Sequence, residues 1–124
     1  MKNKKKVALV TGSVRRLGRE IALKLAALNF NVVLSYFSSS DEEVEKTTKE
    51  VKEKGAEVLC VKADLRKVSE IKKLFAETEK RFGRLDVLVN NAAVFNRKDF
   101  MDLTEEDFDN FININLKNAF FCSQ

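Results

Sequence analysis

The sequence predicts an α/β fold: a truncated, doubly wound parallel sheet of four strands in the order 3-2-1-4, covered by four helices. Two observations predict it. Apolar runs of strand length recur at 7–10, 32–34, 58–61 and 85–89, and the segments between them repeat their apolar residues at helical spacing. Strands alternating with helices form βαβ units, whose right-handed crossovers place helices on both faces of a parallel sheet. With 124 residues, 44% of them hydrophobic, the chain is one domain at most and can bury a core.

Taken in order, Val7-Ala8-Leu9-Val10 is the first strand. The first helix places Leu17, Ile21, Leu25 and Leu28 on one face. After the second strand, Ser40-Asp41-Glu42-Glu43 reads as a capping box that opens helix two, and Gly55 stops it. Helix three follows the third strand with Ile71, Leu74, Phe75, Thr78 and Phe82, and ends at Gly83. Beyond the fourth strand, Thr104-Glu105-Glu106-Asp107 caps a fourth helix carrying Phe108, Phe111, Ile112, Asn115 and Ala119.

Composition narrows the function. A net charge of +4 is mild, and Lys and Arg alternate with Glu along the helices rather than gathering on one face, which argues against nucleic-acid binding. The basic start, Met1 to Lys6, leads into a strand-sized run rather than a signal core, and no apolar stretch is of membrane length. The expectation is a cytoplasmic protein with no membrane partner. Cys60 and Cys122 lack CxxC spacing and read as reduced, buried thiols. The absence of His removes imidazole acid–base chemistry and most zinc sites.

The chemistry concentrates in Thr11-Gly12-Ser13-Val14-Arg15-Arg16-Leu17-Gly18. A buried strand, a glycine turn and a helix N-terminus make a cradle for an anion, because the first helical N–H groups are free and the helix dipole favours negative charge. Two arginines in the turn point to several phosphates. The strict GxGxxG pattern is absent, since Arg16 stands in a glycine position. An ordinary strand-to-helix turn is the plainer alternative, but the position after strand one of a parallel sheet is where such folds bind nucleotides.

Further residues fall at the same edge of the sheet. Asp64 ends strand three and Asn90-Asn91-Ala92-Ala93 ends strand four. Together these segments resemble the short-chain dehydrogenase/reductase family. TGSVRRLG is similar to its TGxxxGxG turn, Lys62-Ala63-Asp64-Leu65 to its adenine-contacting segment, Leu85 to Ala92 to its strand-four signature, and Asn113-Ile114-Asn115-Leu116 to the stretch with its helix-four asparagine. The four motifs occur in order and span the chain.

The resemblance implies a Rossmann-type fold and assigns roles. Gly12 and Gly18, with Ser13, Leu17 and the arginines in the same turn, would let the backbone approach a pyrophosphate. Asp64 would accept from the adenine amine beside the Leu65 backbone; capping helix three is its other reading. Asn90, Asn91, Ala92 and Ala93 would line the ribose side, or simply turn the chain after a strand. Asn115 would order a water leading to the catalytic lysine; its other reading is a core amide bonded to nearby backbone.

NAD-dependent relatives place Asp or Glu at the end of strand two. Here Leu34-Ser35-Tyr36-Phe37-Ser38-Ser39-Ser40 carries none before Asp41. Arginine–phosphate contacts are charge-assisted, so the cofactor expected is NADP(H), with Arg15, Ser38 and Ser39 around the 2′-phosphate. Arg16 resembles the arginine of the pteridine-reductase branch, and Phe95 falls where that branch stacks a ring on the pterin; loop packing is its other reading. Ala93 departs from the serine frequent in that branch.

The family's Ser and YxxxK motif are absent: the one tyrosine, Tyr36, is followed four residues later by Ser40. Residues 1–124 therefore read as the N-terminal, cofactor-binding part of a reductase acting on a carbonyl or pteridine-like small molecule, the parent being a homo-oligomer (dimer or tetramer) and this part alone inactive. A 3-oxoacyl thioester is the alternative substrate. A non-catalytic nucleotide-binding module or pseudoenzyme is the alternative function.

Overall fold

The computed structural model describes residues 4–124, so the first three residues of the basic start lie outside the described residues. Four parallel strands, β1 (Val7–Val10), β2 (Asn31–Tyr36), β3 (Val58–Lys62) and β4 (Val87–Val89), form one sheet in the order β3-β2-β1-β4. Helices α1 (Arg16–Ala27), α2 (Asp41–Glu53) and α3 (Val68–Phe82) connect them, and α4 (Glu105–Ile112) and α5 (Asn118–Ser123) follow β4. The expected topology is the observed one.

Alternation along the strands divides the core. Val7, Leu9, Val33 and Val61 pack with Ile71 and Leu74 of α3 and Cys122 of α5 on one face. Val32 and Leu34 pack with Ala22 and Ala26 of α1 and Val51 of α2 on the other. β1 and β2 are buried throughout, as central strands covered on both faces must be, save for the half-buried Tyr36 at the end of β2.

The expected helix signals take physical form at the caps. Ser40 and Glu43 make a reciprocal capping box on α2, and Thr104 and Asp107 make one on α4. Gly55 and Gly83 follow α2 and α3 with φ of 90° and 68°, the left-handed conformation glycine adopts without steric cost.

Several details differ from expectation. In α1 the residues pressed on the sheet are Gly18, Ala22 and Ala26, while Leu17 and Leu28 are exposed. Small residues let helix and sheet approach closely, so the leucine stripe is displaced to the flank and the rim. β2 extends to Tyr36 because Ser35 and Tyr36 pair with Val61 and Lys62. β4 starts only at Val87, because Asp86 is spent on Val7: its carboxylate accepts the Val7 N–H at 2.8 Å. Asp64 does not cap α3, which starts at Val68 after Lys67. A single fourth helix is replaced by α4, a π-helical turn over Asn113–Lys117, and α5. The wider turn re-aims the face that follows: Asn115 is exposed and Asn118 is the buried amide, donating to the Ile114 carbonyl at 3.0 Å. Cys122 is buried and donates to Asn118 Oδ1 at 3.2 Å, whereas Cys60 is only half-buried. Both thiols are free, and burial pushes the Cys122 pKa up to about 11. Among the described residues no helix is long and apolar enough to cross a membrane.

Candidate functional site

A cleft of about 380 Å³ opens at the carboxyl ends of β1, β2 and β4. Its floor is the turn after β1, which side chains fix from three directions. Thr11 Oγ1 accepts the Asn91 and Ala92 N–H groups, each at 3.0 Å. Asn91 Nδ2 donates back to the Thr11 and Gly12 carbonyls at 3.1 and 3.0 Å. Ser13 Oγ accepts the Ser35 N–H at 3.0 Å, and the Ser13 N–H donates to the Ser35 carbonyl at 3.0 Å. Thr47 Oγ1 of α2 donates to the Val14 carbonyl at 2.5 Å. The turn is therefore preorganised by β2, β4 and α2 together.

Gly12 has φ of 60°, and a Cβ there would stand 3.1 Å from Ala92 Cα. Arg16 has φ of 54°, a conformation that costs a side-chain-bearing residue free energy and that glycine takes freely. The substituted glycine position thus keeps the backbone shape of a glycine, with a guanidinium added.

The N-terminus of α1 has no side-chain cap and no acid in its first turn, whereas α2 and α4 each have a capping box and three acids. Its free N–H groups and the dipole face the cleft with Arg15 and Arg16. Ser38, Ser39, Tyr36 and Phe37 form the opposite wall, and no carboxylate lines the cleft among the described residues.

Of the expected site residues, Gly12, Arg15, Arg16, Leu17, Gly18, Ser38, Ser39, Leu65, Asn91, Ala92 and Ala93 line this cleft. Five others do not. Ser13 is wholly buried and braces the turn on β2. Asn90 Nδ2 donates to Ser123 Oγ of α5 at 3.1 Å. Asp64 is paired with Arg66, whose guanidinium holds the carboxyl below its ordinary pKa. Asn115 makes two bonds to one residue, accepting the Val94 N–H at 2.8 Å and donating to the Val94 carbonyl at 3.0 Å. Phe95 is 89% exposed beside this pair.

Tyr36, Phe37, Ala63, Val94 and Ile114 complete the apolar part of the lining together with Val14, and the motifs did not point to them as site residues. Tyr36 and Phe37 were findable, since they precede Ser38 directly; Ile114 was not, because the π turn determines where it faces. Burial, then the neighbouring Cys60 and Asp41, push the Tyr36 pKa up.

The whole forms a positively lined cleft over an uncapped helix N-terminus, suited to a phosphate-bearing ligand of nucleotide size. A family model described as short chain dehydrogenase matches residues 6–124. The chain is 41% identical over 119 residues to the 3-oxoacyl-(acyl-carrier-protein) reductase FabG of Staphylococcus epidermidis, covering 96% of this chain and 48% of that protein. It is 41% identical over the same length to the short chain dehydrogenase/reductase nsrJ of Aspergillus novofumigatus, covering 96% and 45%. A solved double mutant of a Serratia marcescens short-chain dehydrogenase/reductase superposes with a TM-score of 0.92 at 31% identity, over 98% of this chain and 49% of that one. The chain thus spans just under half the length of these relatives. On the family match and the shared fold, it belongs to the short-chain dehydrogenase family.

Proposed function

We propose that residues 1–124 are the NADP(H)-binding part of a short-chain reductase that transfers hydride between the nicotinamide and a carbonyl or pteridine-like substrate. One observation carries the cofactor choice: among the described residues, the cleft presents Arg15, Arg16, Ser38 and Ser39 and no carboxylate. An acid at the end of β2 would repel a 2′-phosphate; two guanidinium groups and two hydroxyls attract one. The residues fit the group. The uncapped start of α1 would receive the pyrophosphate, Gly12 lets the turn pack closely on Ala92, and Leu65 would line the adenine end, with Asp64 beside it outside the cleft lining. Arg66 takes both acceptor sites of Asp64 Oδ1, through its N–H and Nε, and one of Oδ2, which leaves Oδ2 a lone pair for an amine donor.

The cofactor supplies hydride when bound; this stretch supplies no proton donor in our reading. Tyr36 lines the cleft, yet its pKa is pushed up rather than down, and the groups that shift it include no cation. A tyrosine donor activated by lysine is therefore assigned to the rest of a cytoplasmic parent, with Asn115 placed to order a water toward it. The exposed apolar side chains of α4 and its continuation, Phe108, Ile112, Leu116 and Phe120, fit a homo-oligomeric parent.

A 3-oxoacyl thioester is the substrate class favoured by the relative named a 3-oxoacyl reductase. Pteridine rests instead on Arg16 in the cleft and on the open ring of Phe95. Calorimetric titration with NADPH and NADH tests the cofactor reading: NADPH is expected to bind at least about tenfold tighter. Equal affinities would remove the 2′-phosphate assignment, and binding of neither would overturn the reading. Binding by the parent without turnover of a 3-oxoacyl thioester or a dihydropterin would leave a nucleotide-binding module.

A further inference from the structure

The loop after β3 carries an ion pair with more order than a surface contact needs. Arg66 Nε lies 2.9 Å from Asp64 Oδ1 and Nη2 lies 2.9 Å from Oδ2, a two-pronged pair. The Arg66 N–H donates to Oδ1 at 3.1 Å, and the Asp64 N–H donates to Glu70 Oε2 at 2.6 Å. The Asp64 side chain is 6% exposed, so the guanidinium is held in one plane by a buried anchor.

That guanidinium also faces Phe37, with Cζ 5.7 Å from the ring centre. Phe37 belongs to the β2–α2 loop and Leu65 to the β3–α3 loop, and both line the cleft. The last backbone bond between these segments runs from the Ala63 N–H to the Tyr36 carbonyl at 2.8 Å. Beyond it, no hydrogen bond joins the two loops among the described residues, so the Arg66–Phe37 contact is a tie at the outer rim. The prongs of Arg66 are spent on Asp64, which leaves it a poor third cation for a phosphate.

We propose that Arg66 is a positioning residue: anchored on Asp64, it clasps Phe37 and so fixes the width of the slot between Phe37 and Leu65 that receives the purine ring. This rests on the NADP(H) reading. A clasp acts on adenine and is indifferent to the 2′-phosphate.

The test is calorimetric titration of adenosine 2′,5′-bisphosphate and of ADP into the wild-type protein, Arg66→Ala, Arg66→Lys and Phe37→Leu. Arg66→Ala and Arg66→Lys are expected to weaken both ligands by about threefold to tenfold, with stoichiometry unchanged. Phe37→Leu, which leaves the Asp64 pair intact at a half-exposed position, is expected to do the same more mildly, and it decides the matter if Arg66→Ala folds poorly. A merely structural role would lower stoichiometry and leave Kd alone. Unchanged Kd in Arg66→Ala and Phe37→Leu, full rescue by Arg66→Lys, or a loss confined to the bisphosphate would each overturn the clasp. Binding of neither ligand by the wild-type protein would overturn the NADP(H) reading itself.

Discussion

Gly18 and Gly12 meet at the base of the cleft: a methyl group on Gly18 would overlap the Gly12 carbonyl oxygen and stand 2.6 Å from Asn91 Nδ2. Neither obstacle is the free end of a flexible side chain. The carbonyl is backbone, and the amide is committed to Thr11 and Gly12. Gly18→Ala must push α1 away from the turn, at a cost of about 1–3 kcal/mol as for other overpacked sites. Urea unfolding should show a lower midpoint, and nucleotide binding should fall further than the stability loss explains. An unchanged midpoint would show that α1 gives way easily.

Thr11 serves the same junction from the other side. Its hydroxyl accepts two N–H groups, from Asn91 and Ala92. Thr11→Val keeps the shape and strands the Ala92 N–H, while the Asn91 N–H keeps the Val89 carbonyl at 3.1 Å. An unsatisfied buried donor costs about 1–3 kcal/mol, so a loss of that size is expected, read from the same urea midpoints. Thr11→Ser, which retains the hydroxyl, should recover most of it.

Arg15 is exposed at the extended residue before α1 and lines the cleft. Arg15→Glu should leave the melting temperature within about 2 °C of wild type, as for most exposed substitutions. It should weaken NADPH by about tenfold or more and NADH much less, since a charged hydrogen bond is worth about 1.5–3 kcal/mol. Parallel titrations of the two cofactors measure the difference. Equal losses would assign Arg15 to the shared pyrophosphate instead.

What the sequence made legible follows from which forces are local. The capping boxes at Ser40–Glu43 and Thr104–Asp107 are spelled within four residues, and both form. The strand order is that of the Rossmann-type doubly wound fold, which the strand–helix alternation and the glycine turn after β1 pointed to, so it too could be read. The buried face of α1 could not be read from its leucines, because a helix that docks this tightly on a sheet selects Gly18, Ala22 and Ala26. The π turn at Asn113–Lys117 has no sequence signature in this chain, yet with it Asn115 is exposed and Asn118 is the buried amide. The turn, Ser38, Ser39 and Asn91 could be placed at the cleft because they sit at strand ends. The Arg66–Phe37 contact joins two different loops, and only the folded sheet brings them together.

Asp107 ties α4 to the segment after β4, and acid should release it. Its carboxylate accepts from Lys98 Nζ at 2.8 Å and from the Thr104 N–H at 3.0 Å. Lys98, then the Thr104 N–H, lower its pKa from 3.8 to about 2. A carboxyl whose folded pKa is depressed stabilises the fold above its ordinary pKa and loses that contribution as pH falls through the depressed value. The tie is therefore complete above about pH 4 and lost toward about pH 2. Carboxyl and backbone NMR titrations should give a midpoint near 2 for Asp107, with the Lys98 and Thr104 signals moving together. In Asp107→Asn the linked movement should vanish, while the Asn115–Val94 pair, which carries no titrating group, should hold the other end of the segment unchanged. A midpoint near the ordinary 3.8 in the wild-type protein would mean that Lys98 and Thr104 are not engaged in solution, and that this tie between α4 and the segment bearing Phe95 is absent.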